Sequence, residues 1–242
     1  MARIRRLNTR SLKQGVAHLA SIDADIARAI AQCGLPPLRS AEPGFATLLR
    51  SIVGQQVSVH AARAIWEKLA LLVDPLTPEN LLAAGEPVLR QAGFSGQKIR
   101  YGLALAGDLV EGRIDLEAIH AMEDEAAIAE LVKLKGIGRW TAEIYLMFAL
   151  GRHDIMPGAD LGLWVALQHL KGLRKRPDAK RLLKVAEAWR PWRSVAALTL
   201  WHYRRNMPDW AKTEAKLALR TPKPVPTPDP ISPALRRKRK AA

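Results

Sequence analysis

The sequence predicts an all-α fold. Apolar residues recur at helical spacing from Phe45 to Trp189, and no period-2 stretch of useful length appears anywhere. The one prominent glycine pair, Gly136 and Gly138, falls between two such helical stretches and not between strands.

The helices follow in order. Phe45, Leu48, Leu49, Ile52 and Val53 hold the i, i+3, i+4, i+7, i+8 spacing of one buried face. After a polar break, Val59, Ala62, Trp66, Leu69 and Val73 repeat that spacing, with Ser58 placed to cap. Ile99, Leu103 and Leu109 mark a further helix. Ile128, Leu131 and Val132 belong to the helix before the glycine pair, and Ile144, Met147 and Phe148 to the helix after it. Leu161, Val165 and Leu170 mark the next helix, with Asp160 at its start. Leu182, Val185 and Trp189 mark another, which Pro191 should end, and Ser194 is placed to cap its successor. Residues 1–40 are expected to form an N-terminal helical cap on a body spanning 41–215. From Thr221 to Pro233 there are six prolines, followed by Arg236–Lys240, five basic residues in succession. No core can form there, so 216–242 should be a disordered, Pro-rich basic tail that adds nonspecific polyanion affinity.

With 242 residues, 48% of them hydrophobic, the chain can bury a core. Its net charge of +15 and its pI near 10.4 point to a polyanionic partner, because each Lys or Arg that meets a phosphate releases a condensed counterion. Cys33 is the sole cysteine, which excludes an internal disulfide and a cysteine-held metal cluster. The basic N-terminus has no apolar run after it, and no run of about eighteen apolar residues follows elsewhere. No membrane is expected as a partner.

Between Leu131 and Ala142 a helix runs into Gly136, the chain turns over Gly136-Ile137-Gly138, and a second helix starts near Arg139. Glycines permit positive φ and close backbone approach, and the new helix aims unpaired N–H groups outward as an anion site. Lys133, Lys135 and Arg139 surround that site with positive charge, while Ile137 can plug back into the core. Twenty residues after Trp140, Asp160 follows the turn Met156-Pro157-Gly158-Ala159, where an aspartate is also a good N-cap. Asp154 lies on the other side of the Pro-Gly turn.

The segment from Leu134 to Ala142 resembles the helix-hairpin-helix (HhH) element of the base-excision DNA glycosylases. Trp189-Arg190-Pro191-Trp192-Arg193-Ser194, continued by Leu200-Trp201-His202-Tyr203, resembles the signature of the 3-methyladenine DNA glycosylase II branch. The likeness runs over about residues 20 to 212. It implies two helical subdomains with an HhH DNA-binding element and a cleft between them, and a monofunctional glycosylase for alkylated bases in duplex DNA, 3-methyladenine and 7-methylguanine above all. Other readings are a glycosylase for deaminated, etheno or oxidised bases, and a noncatalytic HhH DNA-binding module.

Residue by residue, the resemblance implies that Asp160 is the catalytic carboxylate. Breaking an N-glycosidic bond develops oxocarbenium character on the sugar, which a fixed carboxylate can stabilise while it orients the attacking water. Bifunctional relatives place a Schiff-base lysine where Trp140 stands, so hydrolysis without strand cleavage is expected. The flipped base would enter a pocket walled by Trp140, Trp201, Ile144 and His202. A cationic alkylated base over Trp gains about 0.5–2 kcal/mol that a neutral base lacks. Gln55, Gln56 and Ser58 resemble the loop that enters the minor groove, with Gln56 as the wedge. Gly93–Lys98 resembles a second phosphate-contacting loop, and Lys98 and Arg193 join the hairpin residues as DNA contacts. No organic cofactor and no iron–sulfur cluster is implied, and the carbonyls of Leu134 and Ile137 could hold a monovalent cation. A monomer is expected, located with the bacterial nucleoid or, in a eukaryote, in the nucleus. Some relatives carry an additional N-terminal β-domain, which the residues before Gln55 are too few to form. Ile144, His202 and the polar Gln56 depart from side chains found in some relatives.

Overall fold

The structure, a computed structural model, describes residues 6–206. It holds α1 (Thr9–Ile22), α2 (Ala24–Cys33), α3 (Phe45–Val53), α4 (Val59–Leu72), α5 (Pro78–Ala92), α6 (Gly96–Val110), α7 (Leu116–Ala121), α8 (Asp124–Leu131), α9 (Arg139–Phe148), α10 (Leu161–Leu170), α11 (Ala179–Ala186) and α12 (Arg193–Asn206). A single 3-10 turn, Glu187–Trp189, follows α11. No strand occurs among the described residues, so the all-α expectation stands. The basic tail 216–242 lies outside the described residues, as do the last positions of the 41–215 body.

Short polar side chains start most of these helices. Asn8, Asp23, Ser58, Thr77, Ser95, Asp115, Asp160 and Asp178 each accept a backbone N–H from the first turn that they precede. Each satisfies a donor that the helix itself cannot, a contribution of about 1 kcal/mol per cap.

Two groups of helices divide the chain out of sequence order. α3, α4, α5 and α6 pack on one another, and α3 also touches α9, which pairs with α8. The terminal helices form the other group: α1 packs on α2, and α2 meets α10, which packs on α11. Asp23, between α1 and α2, accepts the indole N–H of fully buried Trp189 at 2.9 Å and the ammonium of Lys171 at 3.0 Å. His202 and Tyr203 of α12 are bonded to the Cys33 carbonyl and to His169. Of the N-terminal segment, residues 6–40 therefore meet the body through bonds spanning more than a hundred positions, and they cluster with the described residues up to Arg205 as one unit.

Three local expectations are corrected. Val59 is 83% exposed, because α4 buries only Leu69 among its own residues. Leu161 is 52% exposed at the mouth of α10. Ser194 does not cap α12. It lies within the helix, buried, and its hydroxyl accepts the Ile155 N–H and donates to the Ile155 carbonyl.

Candidate active site and nucleic-acid interface

The hairpin forms as its glycines require, but they do different work. Gly136 has φ +87°, the left-handed region that favours glycine, whereas Gly138 is extended and precedes α9. A Cβ on Gly136 would run into the ring of Tyr101, so the aromatic ring packs directly on the turn. A Cβ on Gly138 would meet nothing within 4 Å, leaving that backbone open to an approaching partner. No side chain caps α9, so its first N–H groups keep the outward anion site. Leu134 and Ile137 are 2% and 3% exposed, and the Ile137 N–H donates to the Leu134 carbonyl at 3.1 Å.

Asp160 sits where the two helical groups meet. Its Oδ1 accepts the Leu163 N–H at 2.8 Å, which starts α10, and the indole N–H of Trp201 at 3.1 Å from α12. Its Oδ2 accepts the indole N–H of Trp140 at 3.0 Å from α9. Three donors from three elements thus hold one half-exposed carboxylate, and no ion pair joins it among the described residues. Asp154, the rival carboxylate, is bound to Arg190 and Arg193.

Further aromatic and apolar side chains gather beside Trp140 and Trp201. Trp140 is 43% exposed, and Ile144 and Phe148 follow it at i+4 and i+8, half-buried on the same face of α9. The Phe148 ring stacks on Trp201 with centroids 6.0 Å apart. The sequence expectation did not include Phe148, although its spacing from Trp140 was legible. His202 is turned toward α2 by its bond to Cys33, so the structure does not gather it with Trp140 and Asp160.

The predicted DNA contacts divide by what already holds them. Gln56, Ser58, Lys135, Gly138 and Arg139 are exposed. Gln56, expected as the wedge, has φ +55°, the sole non-glycine positive φ among the described residues. Ser58 also caps α4. Gln55 donates its amide N–H to the Gly136 carbonyl at 2.7 Å, tying its loop to the hairpin. Lys98 is buried, with its ammonium on the Val53 carbonyl at 2.7 Å and its pKa lowered by burial. Lys133 pairs with Glu130, and Arg193, expected as a DNA contact, is held instead on Asp154. Gln55, Gln56, Val57, Ser95, Gln97, Lys98 and Tyr101 line a cavity of about 220 Å³ that joins the two predicted loops and does not include Asp160.

Arg139 pairs with exposed Glu125 at 2.7 Å and with Glu143 at 3.0 Å. Burial pushes the Glu143 carboxyl from 4.5 up to about 7, more than Arg139 pulls it down. The folded chain then binds a proton that the unfolded chain has released, so stability falls as pH rises from about 4.5 through about 7. Replacing Glu143 with Gln should flatten the melting temperature against pH across that window. An unchanged slope would refute this account.

The family description "HhH-GPD superfamily base excision DNA repair protein" matches residues 49–191. DNA-3-methyladenine glycosylase 1 of Schizosaccharomyces pombe is 33% identical over 198 residues, which are 79% of this chain and 87% of that protein. The solved structure of an S. pombe 3-methyladenine DNA glycosylase in complex with abasic DNA superposes with a TM-score of 0.73 at 32% identity, covering 81% of this chain and 98% of that one. A DNA-3-methyladenine glycosidase from Bacillus halodurans gives a TM-score of 0.70 at 35% identity, over 78% and 87% of the two chains.

Proposed function

The chain belongs to the HhH-GPD superfamily of base excision DNA repair proteins, and from that membership we propose that it is a monofunctional DNA glycosylase. It hydrolyses the N-glycosidic bond of alkylated bases, 3-methyladenine and 7-methylguanine, in duplex DNA and leaves an abasic site. The observation that carries this reading is the carboxylate of Asp160, held by two indole N–H groups and a helix start beside an exposed tryptophan.

The reaction follows from that arrangement. The exposed start of α9, with Gly138, Lys135 and Arg139, grips the backbone near the lesion. Gln56 enters the space left by the rotated nucleotide. Trp140, Ile144, Phe148 and Trp201 form an apolar aromatic slot that rewards a cationic base. Oδ1 of Asp160 already accepts two hydrogen bonds while Oδ2 accepts one, so Oδ2 keeps a lone pair for the developing charge at C1′ or for the incoming water. Alkylation leaves the purine positively charged and a good leaving group, so no separate acid is needed. Trp140 supplies no amine, which supports hydrolysis without strand cleavage.

No organic cofactor takes part in this scheme. The Leu134 carbonyl spends one lone pair on Ile137 and keeps another, so it and the Ile137 carbonyl fit a monovalent cation that would add positive charge at the phosphate grip. No described helix is long and apolar enough to cross a membrane. The partner is damaged duplex DNA and the working form is a monomer, placed wherever the genome lies.

A release assay on duplexes carrying 3-methyladenine, 7-methylguanine, ethenoadenine, uracil or 8-oxoguanine tests the reading. The two alkylated purines should be freed fastest, with intact strands until alkali is added. Binding without release of any base would leave only a DNA-binding module.

A further inference from the structure

We propose that Arg204 binds the backbone phosphate of the flipped nucleotide, across a gap that Gly162 keeps open. Resting on the glycosylase reading, this adds a residue that none of the sequence motifs marks. Trp201 and Arg204 lie three positions apart on α12 and so share one face of it. That face meets the start of α10. Asp160 Oδ1 and Arg204 Nη1 each stand 2.9 Å from the point that a Cβ on Gly162 would occupy, and Trp201 Cδ1 stands 3.6 Å from it. Carboxylate and guanidinium are therefore within about 6 Å of each other, beside a tryptophan that also touches the carboxylate.

The physical need is specific. A carboxylate that must reach C1′ repels the phosphate carried on the same sugar, and in a water-poor site that repulsion is poorly screened. A cation at the same place offsets the repulsion and fixes the sugar in register. Arginine suits the task, since its planar fork matches phosphate oxygens and it stays charged when half-buried. Any side chain at position 162 would displace either the carboxylate or the guanidinium, so glycine there serves convergence and not chain flexibility.

Binding of the full chain to an abasic-site duplex, measured from about 50 to 200 mM KCl, tests the assignment. Arg204→Gln should lower affinity several-fold and reduce the slope of log K against log[salt] by about 0.9, the loss of one phosphate contact. Arg204→Lys should keep the wild-type slope yet bind several-fold more weakly, because a point charge lacks the fork. A glutamine variant with an unchanged slope, whatever its affinity or melting temperature, means a structural role and overturns the proposal. Should the glutamine variant not fold, the lysine variant decides, and wild-type affinity there overturns it. Wild-type protein that neither prefers the abasic duplex nor releases bases would instead sink the glycosylase reading itself.

Discussion

Asp160→Asn is expected to slow base release by two to three orders of magnitude in single-turnover experiments, the usual scale for removing one well-placed electrostatic stabiliser from a reacting centre. Binding of an abasic duplex should stay within about threefold of wild type. The separation is expected because asparagine can still cap α10 through the Leu163 N–H that Asp160 now accepts. Its amide nitrogen must, however, face one of the two indole N–H donors, so the variant loses a hydrogen bond as well as the charge. Retention of more than a tenth of the wild-type rate would remove Asp160 from the chemistry. Asp154 would then be the carboxylate to test, although its arginine partners argue against it.

The second large effect concerns the hairpin. Gly136→Ala should destabilise the chain by about 2–5 kcal/mol, because an alanine pays for the left-handed φ and its methyl also drives into the Tyr101 ring. In a domain of this size that loss lowers the melting temperature by roughly 5–15 °C. DNA affinity should drop at least tenfold, since Gln55 and the start of α9 are both held through this turn. The double variant Gly136→Ala, Tyr101→Ala relieves the collision but not the dihedral cost, so it should recover only part of the stability. A single variant that melts with wild type would show that the turn can shift aside, and the tight hairpin would lose its explanation.

What the sequence by itself determined is local chemistry. Helical spacing located most of the buried faces, a glycine that must turn located the hairpin, and an aspartate after Pro-Gly located the start of α10. Each of these rests on residues within about one helical turn or one short loop of one another, which is the range over which backbone geometry follows from side-chain type. Charge and motif could also say that the chain meets DNA, because those are properties of the whole chain or of short strings.

Only the tertiary structure decided which side chains are spent and which are available. Lys98 and Arg193 are basic in the sequence, but the fold seats one on the Val53 carbonyl, 45 positions away, and the other on Asp154, 39 positions away. Gln55 is drawn to a carbonyl 81 positions distant, and Val59 loses its cover despite perfect spacing. Phe148 and Arg204 come to lie near Trp201 and Asp160 because α9 and α12 converge there, and Tyr101 reaches the hairpin from α6, which no string around any of them records. Partner choice over such distances is set by which surfaces pack, and packing depends on the shape of every element at once.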